Sequence, residues 1–308
     1  MKLEQPTLDF AIIGAQKSAT TTLLKILRED QNIWMPNEES RLFEEPYYSV
    51  SEVDEFLSKL PSGGLLKGIK RPDLLADSNG IARLLDHCPE IKLVVVLRDP
   101  IARALSAYYH YIRYASLPVV GHEKGFEAIF SREWDQKWPL NQKVLEYGSY
   151  GKYLSKLLRV LPREQVGIFW HDEFVSNPSK AVQEVKSFLG QGLGSSGEDF
   201  SRSRHSQKTV YSLTRLKFLR LRNSLCVKWD TTRQYGDLRF GVFSKLVWFG
   251  FDAIDRFILG PMFGNCKSVV SRELYEQLRA YYQDDVELLS RLVELPSSWQ
   301  ETYFRRNN

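Results

Sequence analysis

The stretch FAIIGAQKSATTTLLKILRED, at residues 10–30, places a glycine turn between a short apolar run and a helical pattern. The turn ends in a cluster of hydroxyls, Thr20, Thr21 and Thr22, where the helix would begin. Backbone N–H groups of a turn and the N-terminus of a helix attract anions, and threonine hydroxyls add further hydrogen-bond donors. This order of residues therefore predicts a phosphate-binding loop.

The lysine of this loop stands in an unusual place. The nucleotide-binding pattern GxxxxGK[ST] matches at Gly14, but Ala19 replaces its second glycine and Thr20 replaces its lysine. An ATPase or kinase needs that lysine on the β- and γ-phosphates of its nucleotide. Here the lysine is Lys17, three residues earlier, so the loop can hold a phosphate compound but lacks the triphosphate clamp.

A second stretch, VVVLRDPIARALSAYYHY, has the residues for another phosphate contact. Arg98 follows a Val-rich run at 92–97, and open α/β sheets bind ligands at the carboxyl ends of their strands. Pro100 is suited to start a helix, and Ser106 lies on that helix. A planar guanidinium matches a phosphate dianion better than an ammonium does, so Arg98 is suited to contact a phosphate group.

In this order and about eighty residues apart, the two motifs together resemble those of sulfotransferases that use 3′-phosphoadenosine 5′-phosphosulfate (PAPS), in particular the heparan-sulfate type. The resemblance implies that Lys17 is the catalytic lysine, which contacts the oxygen bridging phosphate and sulfate. It also implies that Arg98 and Ser106 hold the 3′-phosphate. The loop residues that would bind the 5′-phosphosulfate are Gln16, Lys17, Ser18, Ala19, Thr20, Thr21 and Thr22.

The same resemblance implies a general base and a second lysine. In MPNEESRLFEE the family's catalytic glutamate corresponds to Glu39, although Glu38 stands where relatives have lysine and Arg41 where many have histidine. In GIKRPDLL the family's lysine beside the transferred sulfuryl group corresponds to Lys70. The alternatives for the base are the neighbouring glutamates and one histidine: Glu38, Glu44, Glu45 and His110.

The last third of the chain carries weaker signals. RHSQKTVYS resembles a basic loop that closes over the adenosine 3′-phosphate in relatives, with Arg204 and Lys208 as candidate ligands, although a solvated loop would have the same composition. The resemblance weakens at about 210–265. We expect a single sulfotransferase domain over residues 1–308.

Apolar runs alternate with helical patterns through the first two thirds of the chain. Runs at 10–14, 65–70, 92–97 and 165–170 predict four strands, and their continuous apolar character indicates a parallel sheet covered on both sides. The predicted fold class is therefore α/β, with a central parallel sheet flanked by helices; the resemblance implies the P-loop-like sulfotransferase fold. The third and fourth strands are expected near the centre of the sheet.

Composition excludes several other classes of protein. The 308 residues carry 42 Lys and Arg against 38 Asp and Glu, and this net charge of +4 is too small for a nucleic-acid binder. Three scattered cysteines form no metal or disulfide pattern and fit a reducing compartment. Because the sequence has no apolar leader and no membrane-spanning run, we expect a cytoplasmic protein without a transmembrane segment. We expect no bound metal, and the protein could form a homo-oligomer.

One long apolar segment, FGVFSKLVWFGFDAIDRFILGPMFG, begins at residue 240. Four charged residues interrupt it: Lys245, Asp252, Asp255 and Arg256. The pattern favours a buried helix, and the alternative is a helix that docks on a membrane surface or a partner subunit.

The predicted activity is transfer of a sulfuryl group from PAPS to a hydroxyl or amine of a small-molecule acceptor, such as a natural product or a glycolipid. A net charge of +4 gives little support for the broad basic groove that a long anionic polysaccharide would need. Two different functions stay open: a small-molecule kinase or other NTPase, and a catalytically silent nucleotide-binding protein of the same fold.

Overall fold

The structure, a computed structural model, describes residues 6–191, 209–229, 236–239, 241–265 and 269–304. Contacts between residues divide the chain into two compact units, each assembled from separate stretches of sequence. The first unit contains Met1–Asp99, Ser149–Gln207 and Gln283–Asn308, and the second contains Pro100–Gly148 and Lys208–Tyr282.

A parallel sheet of five strands forms the centre of the first unit, in the order β2-β3-β1-β4-β5. The strands are β1 Phe10–Gly14, β2 Ile33–Trp34, β3 Leu66–Lys70, β4 Lys92–Leu97 and β5 Val166–Trp170. All five residues of β1 are buried, as is every residue of β4 after its first, because both strands have sheet neighbours on each side and packed residues on each face. The predicted α/β fold with a central parallel sheet is confirmed.

The position of the predicted fourth strand was wrong. This strand, β5, lies at the edge of the sheet, and the central strand is β1. Ile168 and Trp170 of β5 stay partly exposed, which fits an edge position. Strand β2 was not predicted because two residues are too few to form a periodic pattern.

Helices cover this sheet. The first unit contains α1 Thr20–Glu29, α2 Val50–Ser58, α3 Ser78–His87, α7 Tyr150–Val160, α8 His171–Ser176, α9 Pro178–Phe188 and α14 Ser297–Phe304. Leucines of α1, among them Leu23 and Leu27, are fully buried in one cluster with Ile12 of β1 and Val94 of β4. Burial of such a side chain stabilises a fold by about 1.5–3 kcal/mol. This packing therefore fixes the start of α1 at the carboxyl end of β1, the central strand.

The second unit is mainly helical. It contains α4 Pro100–Arg113, α5 His122–Phe130, α6 Lys143–Glu146, α10 Leu213–Cys226, α11 Gly241–Ile254, α12 Gly260–Phe263 and most of α13 Arg272–Ser290. Two short strands, β6 Val227–Trp229 and β7 Gly236–Leu238, pair antiparallel between α10 and α11. Among the described residues, no helix has the length and the apolar character that crossing a bilayer requires.

The prediction of a buried helix in the apolar segment that begins at residue 240 was wrong. In α11, Phe243, Leu246 and Phe249 are 66%, 67% and 74% exposed. The polar residues Ser244 and Asp255 of the same segment are buried instead. The helical pattern was correct, but the helix turns its apolar side away from the rest of its unit.

Candidate active site

The phosphate-binding loop predicted from the sequence connects β1 to α1. The backbone N–H of Ala15 donates to the carbonyl oxygen of Val96 at 2.8 Å, which fixes the start of the loop to the neighbouring strand β4. Lys17 and Ala19 have φ angles of 70° and 65°, in the left-handed region that is unfavourable for residues with a Cβ. Such conformations cost on the order of 1–3 kcal/mol and occur preferentially at ligand sites.

The N-terminus of α1 is suited to bind an anion. Its N-cap residue is Ala19, whose methyl side chain cannot accept a capping hydrogen bond. The first N–H groups of an α-helix have no acceptor within the helix, and the helix dipole adds positive potential at this end. Three consecutive hydroxyls, on Thr20, Thr21 and Thr22, occupy the first turn.

A buried hydroxyl in the loop tests whether a phosphate group fits. Ser18 is fully buried, and its Oγ has no hydrogen-bond partner among the residues that the structure describes. Buried polar atoms without a partner are rare in folded proteins, and a hydroxyl can donate to a phosphate oxygen. Gln16 is held through its Nε2, which donates to Oδ1 of Asp73 at 3.3 Å, whereas its buried Oε1 also has no partner among the described residues. Because a phosphate oxygen could accept from the Ser18 hydroxyl, the loop is compatible with a bound phosphate group.

Lys70 links the loop to the predicted general base. It is the last residue of β3, which pairs with β1, and only 2% of it is exposed. Its Nζ donates to Oγ1 of Thr21 at 3.0 Å and forms a short ion pair with Glu39. One buried ammonium therefore joins the first turn of α1 to the carboxylate of Glu39.

Arg71 is a site residue that the sequence analysis missed. Its Nε and NH2 donate to the two carboxylate oxygens of Glu44 at 2.5 and 2.7 Å. Its NH1 donates to Glu39 at 3.1 Å, and NH2 also lies 3.3 Å from Asp73. The available signal was its position, directly after Lys70 at the carboxyl end of a strand, where ligand-binding residues gather.

These cations keep Glu39 ionised. Burial raises the pKa of Glu39, but the charge and hydrogen bond of Lys70, followed by those of Arg71, outweigh it and hold the pKa below its ordinary value. The Glu39 side chain is still 39% exposed. The structure thus contains a carboxylate that is ionised at neutral pH, anchored by two cations and open to solvent.

Glu44, which the sequence also offered as a base, has a different environment. It is 6% exposed and held by Arg71 on both oxygens. Burial raises its pKa to about 7, because pairing with Arg71 offsets burial only in part and the charges of Asp73 and Asp77 add to the rise. A carboxylate with both oxygens on one buried arginine is poorly placed to receive a proton from another molecule.

Glu38, Glu45 and His110 are the other candidates for the base. Glu38 is exposed, and Glu45 forms a surface ion pair with Arg83. His110 belongs to the second unit, where its ring packs 4.7 Å from that of Tyr114. Among the candidates for the base, Glu39 is the carboxylate that Lys70 holds next to the phosphate-binding loop.

Arg98 lies beside the loop, as its position after β4 predicted. Its NH1 donates to the carbonyl oxygen of Lys17 at 3.1 Å, and its own carbonyl oxygen accepts from the hydroxyl of Tyr150 at 3.0 Å. His171, which directly follows β5, is a second residue that the sequence analysis missed. Burial and the charge of Arg98 lower the pKa of His171, so this ring is neutral near pH 7.

The other candidate ligands of the 3′-phosphate are Ser106, Arg204 and Lys208. Ser106 belongs to the second unit, where it is buried on α4 with its Oγ 3.3 Å from Oγ1 of Thr209. Arg204 and Lys208 fall outside the residues that the structure describes. The described residues contain no group of three His, Cys, Asp or Glu side chains arranged to hold a metal ion.

Comparison with known proteins identifies the family. The family profile described as "Sulfotransferase domain" matches residues 8–234, well over half of the chain. The chain belongs to the sulfotransferase family. The prediction made from its motifs is confirmed, and this is a family of enzymes whose sulfuryl donor is PAPS.

Curated relatives belong to the heparan-sulfate branch. The mouse heparan sulfate glucosamine 3-O-sulfotransferase 3B1 is 27% identical over 185 residues, which make up 58% of this chain and 45% of the relative. The bifunctional heparan sulfate N-deacetylase/N-sulfotransferase 1 of Caenorhabditis briggsae is 25% identical over 59% of this chain and 22% of its own length. The matched region thus spans less than half the length of these relatives.

A solved structure has the same fold over nearly the whole chain. The sulfotransferase from Alicyclobacillus acidocaldarius superposes with a TM-score of 0.63 and 19% sequence identity, covering 95% of this chain and 98% of that one. At this level of identity the likeness establishes the fold, and the P-loop-like sulfotransferase fold predicted from the sequence is confirmed.

Proposed function

We propose that this sulfotransferase moves the sulfuryl group of PAPS to a hydroxyl or amine of a small-molecule acceptor, such as a natural product or a glycolipid. The observation that carries the proposal is the Lys70 ammonium, which joins Thr21 of the phosphate-binding loop to the carboxylate of Glu39. The side chain of Lys70 thus connects Thr21, which is proposed to bind the donor, to Glu39, which is proposed to accept a proton.

Lys17, Ser18 and the first turn of α1 are proposed to bind the 5′-phosphosulfate. In the reaction the bond from sulfur to the 5′-phosphate breaks while a bond from sulfur to the acceptor forms, and the departing phosphate oxygen gains negative charge. The side chain of Lys17 and the N–H groups of α1 would face that charge, and donors fixed in advance stabilise it without reorganising. The assignment is supported by the hydroxyls of the first turn of α1, and by Oγ of Ser18, which has no partner among the described residues.

Glu39 is proposed as the general base and Lys70 as the cation beside the transferred group. The carboxylate would accept the proton that the acceptor atom releases, and its lowered pKa keeps it in the form able to do so. Because Lys70 contacts both Glu39 and Thr21, it is suited to orient the base and to add positive charge next to the sulfuryl group.

For the 3′-phosphate we keep the assignment that the family resemblance implies. Arg98 borders the loop through Lys17 and carries a guanidinium, the group best matched to a phosphate dianion. Ser106, Arg204 and Lys208 stay proposals on the resemblance alone, each to be tested by its own substitution.

The acceptor class and the location are also proposals. The net charge of +4 argues for a compact acceptor over a long anionic chain, because such a chain binds along an extended basic surface. The described cysteines, Cys88 and Cys226, are buried free thiols, which suits a reducing compartment such as the cytoplasm.

Two measurements test the proposal. The purified chain is incubated with PAPS and a panel of phenols, alkyl glycosides and amines, and mass spectrometry searches for products heavier by one sulfuryl group. Calorimetry then compares 3′,5′-bisphosphoadenosine with ATP. Sulfated products and selective binding of the bisphosphate support the proposal; equal affinity for ATP, or hydrolysis of ATP, contradicts it.

A third measurement isolates the 3′-phosphate. The Arg98→Met variant should lose affinity for 3′,5′-bisphosphoadenosine while its affinity for AMP, which lacks the 3′-phosphate, stays unchanged. Arg159→Met, at an exposed position on α7, is the matched control. A loss that is equal for both nucleotides would contradict the assignment of Arg98.

A further inference from the structure

The second unit carries an extended apolar surface. It runs along α11, a π-helical turn at Asp255–Leu259, and α12. We call it the apolar face, and its exposed side chains are Phe243, Leu246, Phe249, Ile254, Phe257, Ile258, Met262 and Phe263. Single exposed apolar residues are common, but a contiguous group of this kind marks an interaction site.

Polar residues on the opposite side of α11 hold it in this orientation. Asp255 accepts two hydrogen bonds from Arg215 of α10, at 2.9 and 2.8 Å, and Asp252 forms a short ion pair with the buried Arg222. The guanidinium of Arg222 also stacks 3.5 Å from the ring of Trp248. A surface helix in water normally turns its apolar side inward, so this helix has the reverse orientation.

Between residues 213 and 265, the charged residues that the structure describes as exposed are all basic. Between residues 213 and 265 the sequence has nine Lys and Arg against four Asp, and the resulting net charge of +5 exceeds the +4 of the whole chain. The acidic side chains that the structure describes there, Asp252 and Asp255, are both paired with arginine. The exposed basic residues are Lys217, Lys228, Arg239, Lys245 and Arg256.

We propose that the apolar face docks on an anionic lipid membrane, with α11 and α12 lying in the plane of the interface. Phenylalanine and leucine side chains would enter the boundary between headgroups and acyl chains, while Lys245 and Arg256 would meet the lipid phosphates. This inference is independent of the proposed reaction, since none of its residues belongs to the candidate active site.

Charge distinguishes this occupant from a second copy of the chain. A symmetric dimer brings the same patch of both copies together. The exposed lysines and arginines of one copy would then meet those of the other, and like charges across an interface are unfavourable. An anionic bilayer supplies both the apolar cover and the opposite charge.

Vesicle flotation of the full chain tests the inference. Vesicles of equal parts phosphatidylglycerol and phosphatidylcholine are compared with pure phosphatidylcholine, at low and high salt. We expect binding to the anionic vesicles that weakens with salt, and little binding to the neutral ones. The double variant Phe249→Gln with Phe257→Gln should bind at least about tenfold more weakly.

Two further variants complete the test. Lys245→Glu with Arg256→Glu should also lower binding to anionic vesicles, although the apolar side chains stay intact. Val175→Gln, at a 68% exposed valine of the first unit, should bind like the unchanged chain. Circular dichroism checks that each variant is folded.

Light scattering in solution distinguishes a protein partner from a membrane. A dimer that Phe249→Gln with Phe257→Gln dissociates, without vesicle binding by the unchanged chain, would overturn the proposal in favour of a second copy. Absence of vesicle binding by a folded monomer would overturn it as well.

Discussion

Two helices of this molecule arrange the same kinds of residue in opposite ways. In α1, Leu23 and Leu27 are buried, and Lys25 is exposed. In α11, the apolar Phe249 is exposed and Ser244 is buried. Both helices are amphipathic, yet one packs through its apolar side and the other through its polar side.

The two arrangements have different energetic consequences. Burial of the α1 leucines stabilises the fold directly, and this rigidity is what a helix needs when its N-terminus must hold an anion in a fixed place. The ion pairs that Asp252 and Asp255 form with arginines of α10 contribute less, because the cost of removing charges from water offsets much of their attraction. The apolar side of α11 contributes nothing until another apolar surface covers it. Helix α1 is therefore suited to position the phosphate-binding loop, and α11 is suited to associate with another apolar surface.

The largest expected effect tests the general base proposed beside the phosphate-binding loop and α1. Glu39→Gln should lower kcat by about 10²–10⁴, because the amide cannot take the acceptor's proton. Affinity for 3′,5′-bisphosphoadenosine should stay unchanged in calorimetry. Glu38→Gln, at the exposed neighbouring position, is the matched control. Full activity of Glu39→Gln would move the base to another residue.

The next effect concerns the loop lysine. Lys17→Ala should lower kcat by about 10²–10³, because the charge that develops on the departing phosphate loses its nearest cation. Lys25→Ala, on the exposed side of α1, should keep the normal rate. Steady-state sulfation assays measure both, and equal rates for the two variants would mean that Lys17 has no part in the reaction.

A matched pair of leucines tests the comparison itself. Leu27→Ala, at a fully buried position of α1, should lower the free energy of unfolding by about 2–5 kcal/mol. Leu246→Ala, at a 67% exposed position of α11, should change it by no more than about 0.5 kcal/mol. Urea unfolding of both variants gives the two values. A large loss for Leu246→Ala would mean that the apolar side of α11 is already packed in solution.

The sequence predicted the α1 region well for identifiable reasons. β1 is a fully apolar run, α1 has a clear apolar stripe, and the turn between them carries glycine and hydroxyls, so each local signal agrees with the fold. Arg98 was proposed from the family motif and its place at a strand end, whereas Lys70 was proposed from the resemblance of GIKRPDLL to a family motif. Arg71 was missed because its partners, Glu39 and Glu44, come close only in the folded chain.

The α11 region could not be predicted in the same way. Periodicity indicates that a helix has an apolar side but does not say on which side the rest of the protein lies. Asp252 and Asp255 looked like interruptions of a buried helix. Their partners, Arg222 and Arg215, lie 30 and 40 residues earlier in the chain, and nothing in the local pattern connects them.

A smaller effect sharpens the picture of the buried charges near α1. The pKa of Glu44 is raised to about 7 in the folded protein, above its ordinary value of 4.5. Between these values the folded state holds a proton that the unfolded state has released, so stability falls as the pH rises through this window. Glu44→Gln should remove this dependence, which is on the order of 1–3 kcal/mol.

Urea unfolding midpoints at several pH values between mildly acidic and mildly basic measure the Glu44 effect. Glu45→Gln, at the exposed position next to it, should keep the pH dependence of the unchanged chain. If Glu44→Gln and the unchanged chain vary in parallel with pH, then Arg71 keeps Glu44 ionised throughout and its pKa is not raised.

The smallest expected effect tests the contact between Lys70 and Glu39. Lys70 is the main cause that lowers the pKa of Glu39, and burial acts in the opposite direction. The base must be ionised to work, so activity falls as the pH drops through that pKa. In Lys70→Met the acid limb of kcat/KM should therefore shift to higher pH. The position of the limb is the informative quantity, because the variant also loses a positive charge and is slower at every pH. Lys67→Met, near the other end of the same strand, should leave the limb where it is. A limb that stays in place in Lys70→Met would mean that Arg71 alone sets the ionisation of Glu39, and the ammonium would then serve the donor side of the reaction only.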